Sequence, residues 1–147
     1  VIDQATRRWP VNIVLTGGSS AEEIALSRTI ADKANVDCLV LTGKTNLKQM
    51  AALLSRVAVL LAPDTGPVHI ATAMKTPVVG LYAVAPATLS GPYFSQALVV
   101  DKYSQAVEQI LNKDPSAVPW GQRVHSLAAM QLIEVDDVMQ KLSVVLA

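Results

Sequence analysis

Leu60-Leu61-Ala62-Pro63-Asp64-Thr65-Gly66-Pro67-Val68-His69-Ile70-Ala71-Thr72-Ala73 joins three local signals in one stretch. An apolar run from Val57 to Ala62 stops at Pro63, and Asp64 to Pro67 turn the chain. Small and apolar residues then run to Thr76-Pro77. The pattern predicts a buried strand, a tight turn and a short helix that starts at Pro67. Proline suits the first helical position, because its absent N–H would be unpaired there in any case. Thr65 or Gly66 is expected to cap the helix. The free amides of that first turn, at the positive end of the helix dipole, make an anion site.

The flanking sequence repeats the strand-then-helix order. Val11 to Thr16 is a short β-branched run, and Gly17-Gly18-Ser19-Ser20 turns the chain. Ser20-Ala21-Glu22-Glu23 has the form of a capping box for a helix reaching about Asn35. Val36 to Leu41 predicts the next strand, followed by the loop Thr42-Gly43-Lys44-Thr45. Asn46 is placed to cap a helix whose Leu47, Met50, Ala51 and Leu54 share one apolar face. Beyond the opening stretch, Pro77 to Tyr82 and Ala97 to Val100 read as strands joined by an irregular connection, Ala83 to Gln96. Ser104 to Asn112 is amphipathic, Asp114 to Arg123 is loop, Val124 to Met130 is a short helix, and a last helix runs from Val135 or Asp136 to Val145. Residues 1–10 read as an irregular lead-in. Strands alternating with helices point to an α/β fold, Rossmann-like, with a parallel sheet covered on both faces. Ligands of such folds bind outside the carboxyl ends of the strands. Three loops fall there: Gly17 to Ser20, Thr42 to Thr45, and Pro63 to Pro67.

Composition narrows the class. The 147 residues are 51% hydrophobic and 16% charged, which fits one domain, residues 1–147, with strands buried on both faces or a surface that meets a neighbour. A formal net charge of zero gives no case for a nucleic-acid partner, so any anion site must be local. No apolar run nears the ~20 residues of a membrane helix, and the first residues lack a signal peptide's layout. The single cysteine, Cys38, sits in an apolar stretch and is expected to be a buried thiol in a reducing cytoplasm. The two histidines, His69 and His125, have no partners at metal spacing, so no metal site is expected.

The loops carry the chemistry. Gly17-Gly18-Ser19-Ser20 is not G-x-G-x-x-G, and Thr42-Gly43-Lys44-Thr45 lacks the earlier glycine of a P-loop. Tight turns before helix caps account for both equally well. Glu22 is the more available carboxylate, since Glu23 belongs to the cap, and it suits a hydroxyl pair; a solvated helix residue is the plain alternative. At Asp64-Thr65-Gly66-Pro67 a carboxylate, a hydroxyl and helix-start amides converge. Asp64 would repel a diphosphate, so sugar hydroxyls or loop amides are its expected partners, and an Asp-initiated turn without a ligand is the alternative. His69 fits either a packed core position or a donor to a phosphate. Arg7, Arg8 and Lys44 offer positive charge, though such residues commonly just face water.

Arg7-Arg8-Trp9-Pro10, Leu15-Thr16-Gly17-Gly18, Leu41 to Leu47, Asp64 to His69 and Thr76 to Tyr82 together resemble the ADP-heptose:lipopolysaccharide heptosyltransferases, glycosyltransferase family 9. The similarity is to the carboxyl-terminal half of a GT-B glycosyltransferase. It runs in order from about Arg7 to Pro92 and more faintly to the end, with D-T-G-P-x-H as its most specific element. The resemblance implies that Thr65, Gly66 and the amides after them, Val68 and His69 included, hold the donor diphosphate. It implies Asp64 near the sugar, Glu22 or Glu23 near the ribose, and Thr42, Gly43 and Lys44 in a loop near the adenine. It also implies an amino-terminal domain that carries the acceptor site and an aspartate general base, so no catalytic base is expected among these residues. One departure is that Pro10 runs almost directly into Val11, where the family has a helix of some length. The expected function is the donor-binding domain of an inverting glycosyltransferase. That enzyme would move heptose from ADP-heptose to a lipid A-core acceptor without metal or cofactor. Its place would be the cytoplasm, peripheral at most to the inner membrane. Two other readings stay open: a GT-B domain of another nucleotide-sugar transferase or epimerase, and a non-catalytic nucleotide-binding module.

Overall fold

The computed structural model describes Val1–Ala147. The chain divides into two compact units, Val1–Ala52 and Leu53–Ala147.

The first unit opens with a helix, α1 (Ile2–Arg8), in place of the irregular lead-in. Asp3 lies in its first turn and Arg7 and Arg8 in its last, the charge order a helix dipole favours. The Asp3 carboxylate also accepts the Asn35 backbone N–H at 2.8 Å, which ties the helix to a residue far along the chain. Trp9 is extended, as the residue before a proline should be, so the helix stops there. The strands β1 (Ile13–Leu15) and β2 (Cys38–Val40) pair in parallel, Ile13 opposite Cys38, and α2 (Ala21–Lys33) connects them. Leu39 on β2 is 57% exposed. Cys38 is half-buried, not fully buried; burial, then the charges of Asp3 and Asp37, push its thiol pKa up. The helix α3 (Leu47–Leu54) starts on a reciprocal cap. Asn46 Oδ1 accepts the Gln49 N–H at 3.0 Å, and Gln49 Oε1 accepts the Asn46 N–H at 2.9 Å.

The second unit holds a three-stranded parallel sheet in the order β3 (Leu60–Pro63), β4 (Val78–Tyr82), β5 (Val100–Asp101). All the strand pairs are parallel, as the alternation of strands and helices predicted, and fall in two hydrogen-bonded ladders, one in each unit. As the central strand, β4 buries Val78, Val79 and Tyr82 almost completely, which explains its unbroken apolar run. The last strand falls later than expected, because Gln96–Leu98 winds into a 3₁₀ turn. The helix α4 (Gly66–Ala73) follows β3. A short helix, α5 (Ala87–Ser90), occupies part of the segment expected to be irregular. Then come α6 (Tyr103–Leu111), α7 (Leu127–Gln131) and α8 (Val135–Leu146). Asn112 ends α6 in the left-handed conformation, φ 52°, which asparagine tolerates better than most residues. Ala83, Tyr103, Ala106, Val107, Val124 and Ala129 form one buried cluster.

Tyr82 closes β4, and its hydroxyl donates to the Ser90 carbonyl at 3.2 Å. Burial, reinforced by the charges of Asp64 and Asp101, pushes its pKa up to about 12. A phenol whose folded pKa is raised contributes stability that is fully present below its unfolded value of about 10 and fades as pH rises through the folded one. The melting temperature should therefore fall between about pH 10 and 12 for this reason. Tyr82→Phe should melt lower near neutrality, by the ~1 kcal/mol of one hydrogen bond, with a shallower alkaline decline. Parallel alkaline melting curves for the two proteins would show that Tyr82 is not the group responsible.

Candidate functional site

The turn between β3 and α4 is built from backbone. Asp64 ends the strand connection with its side chain 23% exposed. Thr65 takes the N-cap position in an extended conformation, φ −145° and ψ 163°, and Gly66 and Pro67 open the helix. The helix thus begins one residue earlier than the proline indicated. Thr65 stands at the cap but does not act as one: its hydroxyl donates to the Pro63 carbonyl at 3.3 Å, and no side chain caps α4. The Val68 amide donates to the Thr65 carbonyl at 3.1 Å, while the Val68 side chain is completely buried. Its side chain anchors the helix to the core, and its N–H is taken up within the turn. His69 is exposed, which removes the packed-core reading. A Cβ built on Gly66 would meet nothing within 4 Å, so the space over the start of α4 is open.

One partner of this turn escaped the sequence. Arg123 places Nη1 3.7 Å from Asp64 Oδ2, with its own side chain 45% exposed. The sequence marks Asp114 to Arg123 only as loop, and nothing local to Arg123 signals the pairing. Tyr82 likewise reads only as the end of a buried strand, yet the Asp64 charge is felt at its phenol.

The two loops of the first unit are tied together by their own groups. Ser20 Oγ accepts the Glu23 N–H at 3.2 Å, as a cap should. Glu23 does not return the bond to the Ser20 amide, however; its carboxylate accepts the Gly18 N–H at 2.7 Å. A Cβ on Gly17 or Gly18 would lie 2.8 or 2.7 Å from a Glu23 oxygen, so these glycines make room for that carboxylate. Glu22 is left exposed on the first turn of α2. Thr42 is buried and donates its hydroxyl to Ser27 Oγ at 2.7 Å, which commits that group to the fold. Gly43 turns the chain at φ 74°, its N–H bonded to the Gly17 carbonyl at 3.1 Å. Lys44 folds back, donating from Nζ to the Val40 carbonyl at 3.1 Å. Of the other cations considered, Arg7 Nε donates to the Asp3 carbonyl at 2.9 Å, and Arg8 lies 4.9 Å from the centre of the Trp9 ring.

The parallel α/β architecture, with helices joining parallel strands, is that of a GT-B glycosyltransferase domain. The model of glycosyltransferase family 9 (heptosyltransferase) matches residues 1–117, and the chain belongs to this family. It is 33% identical over 129 residues to the lipopolysaccharide core heptosyltransferase OpsX of Haemophilus influenzae, covering 88% of this chain and 37% of that relative. It is 36% identical over 83 residues to the lipopolysaccharide heptosyltransferase 3 of Escherichia coli K12, covering 56% of this chain and 24% of that relative. Among solved structures, the glycosyl transferase family 9 protein of Veillonella parvula superposes over 99% of this chain and 39% of its own, with a TM-score of 0.76 at 22% identity. The E. coli ADP-heptose LPS heptosyltransferase II superposes over 92% of this chain and 36% of its own, with a TM-score of 0.66 at 20% identity. The chain therefore spans well under half the length of these relatives. No helix is long and apolar enough to cross a membrane.

Proposed function

We propose that this chain is the donor-binding part of an inverting heptosyltransferase that moves heptose from ADP-heptose to the inner core of lipopolysaccharide. The observation that carries the reading is the uncapped, unobstructed start of α4, set on the turn that carries the family's D-T-G-P-x-H signature. In the reaction, an acceptor hydroxyl oxygen forms a bond to the anomeric carbon. The bond from that carbon to the diphosphate breaks, and its electron pair leaves with ADP. The acceptor proton passes to a base that this reading assigns to an amino-terminal domain of the same protein. The amides at the start of α4 stabilise the charge that grows on the departing diphosphate, and such preorganised dipoles act most where that charge develops. Asp64 is assigned to the hydroxyls of the sugar. The acceptor is lipid-linked, so the work belongs at the cytoplasmic face of the inner membrane.

Calorimetric titration of the full-length protein with ADP and with UDP tests the donor. ADP is expected to bind at least tenfold more tightly. A preference for UDP would replace the heptosyltransferase reading with another nucleotide-sugar enzyme, and binding of neither would favour a scaffold.

A further inference from the structure

The donor carries two phosphates, and the cations that the sequence offers for them all lie in the first unit. Lys44 is bonded to its own strand, Arg7 to its own helix, and Arg8 is stacked on Trp9. In the second unit a different cation stands at the turn. Arg123 reaches Asp64, the residue that leads from β3 into α4. At 3.7 Å the contact is an ion pair longer than a hydrogen bond, so the guanidinium keeps its donors available.

The backbone on both sides of Arg123 is fastened. The Tyr103 hydroxyl donates to the Gln122 carbonyl at 2.7 Å, and the Gln122 side-chain amide donates to the Arg123 carbonyl at 2.8 Å. The next residue, Val124, is completely buried in the cluster with Ala83, Tyr103 and Ala129, and its N–H donates to the Val84 carbonyl at 2.8 Å. Val84 lies just beyond the carboxyl end of β4, on the edge of the sheet where ligands of parallel α/β folds bind. An exposed loop arginine normally spends its rotamer freedom in water. Here two anchors hold its Cα while the head group stays half in solvent, beside a carboxylate and an uncapped helix start. Bidentate recognition of phosphate is what a planar guanidinium does best.

We infer that Arg123 is a phosphate-binding residue of the donor site, parked on Asp64 when the site is empty and shared with the diphosphate when it is full. The inference rests on the donor-binding reading and adds to it a cation at the turn itself. Asp64 then has two tasks: it orients Arg123 and meets the sugar. The α4 amides and Arg123 hold the diphosphate together, one through fixed dipoles and the other through a full charge.

Calorimetry on the full-length protein with inorganic pyrophosphate, ADP and adenosine tests this, comparing the wild type with Arg123→Gln and Arg123→Lys. Arg123→Gln is expected to weaken ADP and pyrophosphate about 10- to 100-fold, as loss of a charge-assisted hydrogen-bonding partner does, and to leave adenosine unchanged. Arg123→Lys is expected to recover part of the loss, and the salt dependence of ADP binding should flatten in Arg123→Gln. A melting temperature close to that of the wild type is expected, since an exposed pair of this kind contributes about 0–1 kcal/mol. Equal ADP affinity in the wild type and Arg123→Gln would overturn the assignment of Arg123 and leave the donor site standing. Arg123-dependent binding of pyrophosphate without any binding of ADP would keep Arg123 as an anion ligand and overturn the donor reading. Adenosine binding that falls in step with ADP would mark Arg123 as merely structural and overturn its role.

Discussion

Gly66→Val combined with Thr65→Ala is expected to lower turnover of the full-length enzyme about 100- to 1,000-fold, the range seen when one preorganised donor to a developing anion is lost. The physical case lies in what the fold does not use. The site of a Gly66 Cβ has nothing within 4 Å, so the protein itself has no objection to a side chain there. Only a ligand lying on the Gly66 backbone would be displaced. Thr65 is equally dispensable to the helix. A threonine that truly caps would cost ~0.5–2 kcal/mol on replacement by alanine. This one donates instead to the Pro63 carbonyl and leaves the amides alone. The double variant should therefore melt within ~0.5 kcal/mol of the wild type while donor affinity and turnover collapse. Wild-type turnover in a properly folded variant would remove the start of α4 from the donor site, and with it the main support for the proposed function.

What the sequence made legible is what local physics controls. Asn46 and Gln49 stand three apart, and a capping box needs only that spacing and a helix to cap. The apolar run Pro77 to Tyr82 reads as a strand, and β4 is that strand, paired on both sides. Pro67 locates the start of α4 to within one residue. The misreadings involve partners that local spacing does not specify. Residues 1–10 look irregular because the hold on α1 comes from Asn35. Glu23 fits a capping box by letter, but the nearby Gly18 amide offers its carboxylate a bond, and two residues without side chains let it reach there. The bond from the Thr42 hydroxyl to Ser27 of α2 is likewise invisible in a loop sequence. Arg123 shows the same limit from the other side. Its placement beside Asp64 depends on Val124 being a core residue and on Tyr103 reaching the Gln122 carbonyl, and a loop sequence reveals neither. The turn and the start of α4 were therefore readable from the sequence, and the Arg123–Asp64 pair formed from a distant loop was not.

Asp64→Asn should separate the two halves of the donor by moving their affinities in opposite directions. In the proposed donor site the carboxylate would repel the diphosphate, and the Arg123 that it pairs with at 3.7 Å would be shared with that diphosphate. Removing the charge while keeping the shape lifts the repulsion and frees the guanidinium, so ADP is expected to bind several-fold more tightly. The sugar suffers the reverse. A carboxylate accepting from hydroxyls makes charge-assisted bonds worth ~1.5–3 kcal/mol, so ADP-heptose should lose about 10- to 100-fold in affinity. The Arg123 pair itself is long and partly exposed, which keeps the stability cost of its loss near ~0–1 kcal/mol. Titrating ADP and ADP-heptose into both proteins, with a melting curve beside each, is the measurement. A parallel loss for both ligands would show that Asp64 supports the turn rather than the sugar. A parallel gain would confine its influence to phosphate repulsion and leave recognition of the heptose to residues outside this turn. Opposed shifts would tie one side chain to both tasks: holding a cation for the leaving group, and holding the sugar from which that group departs.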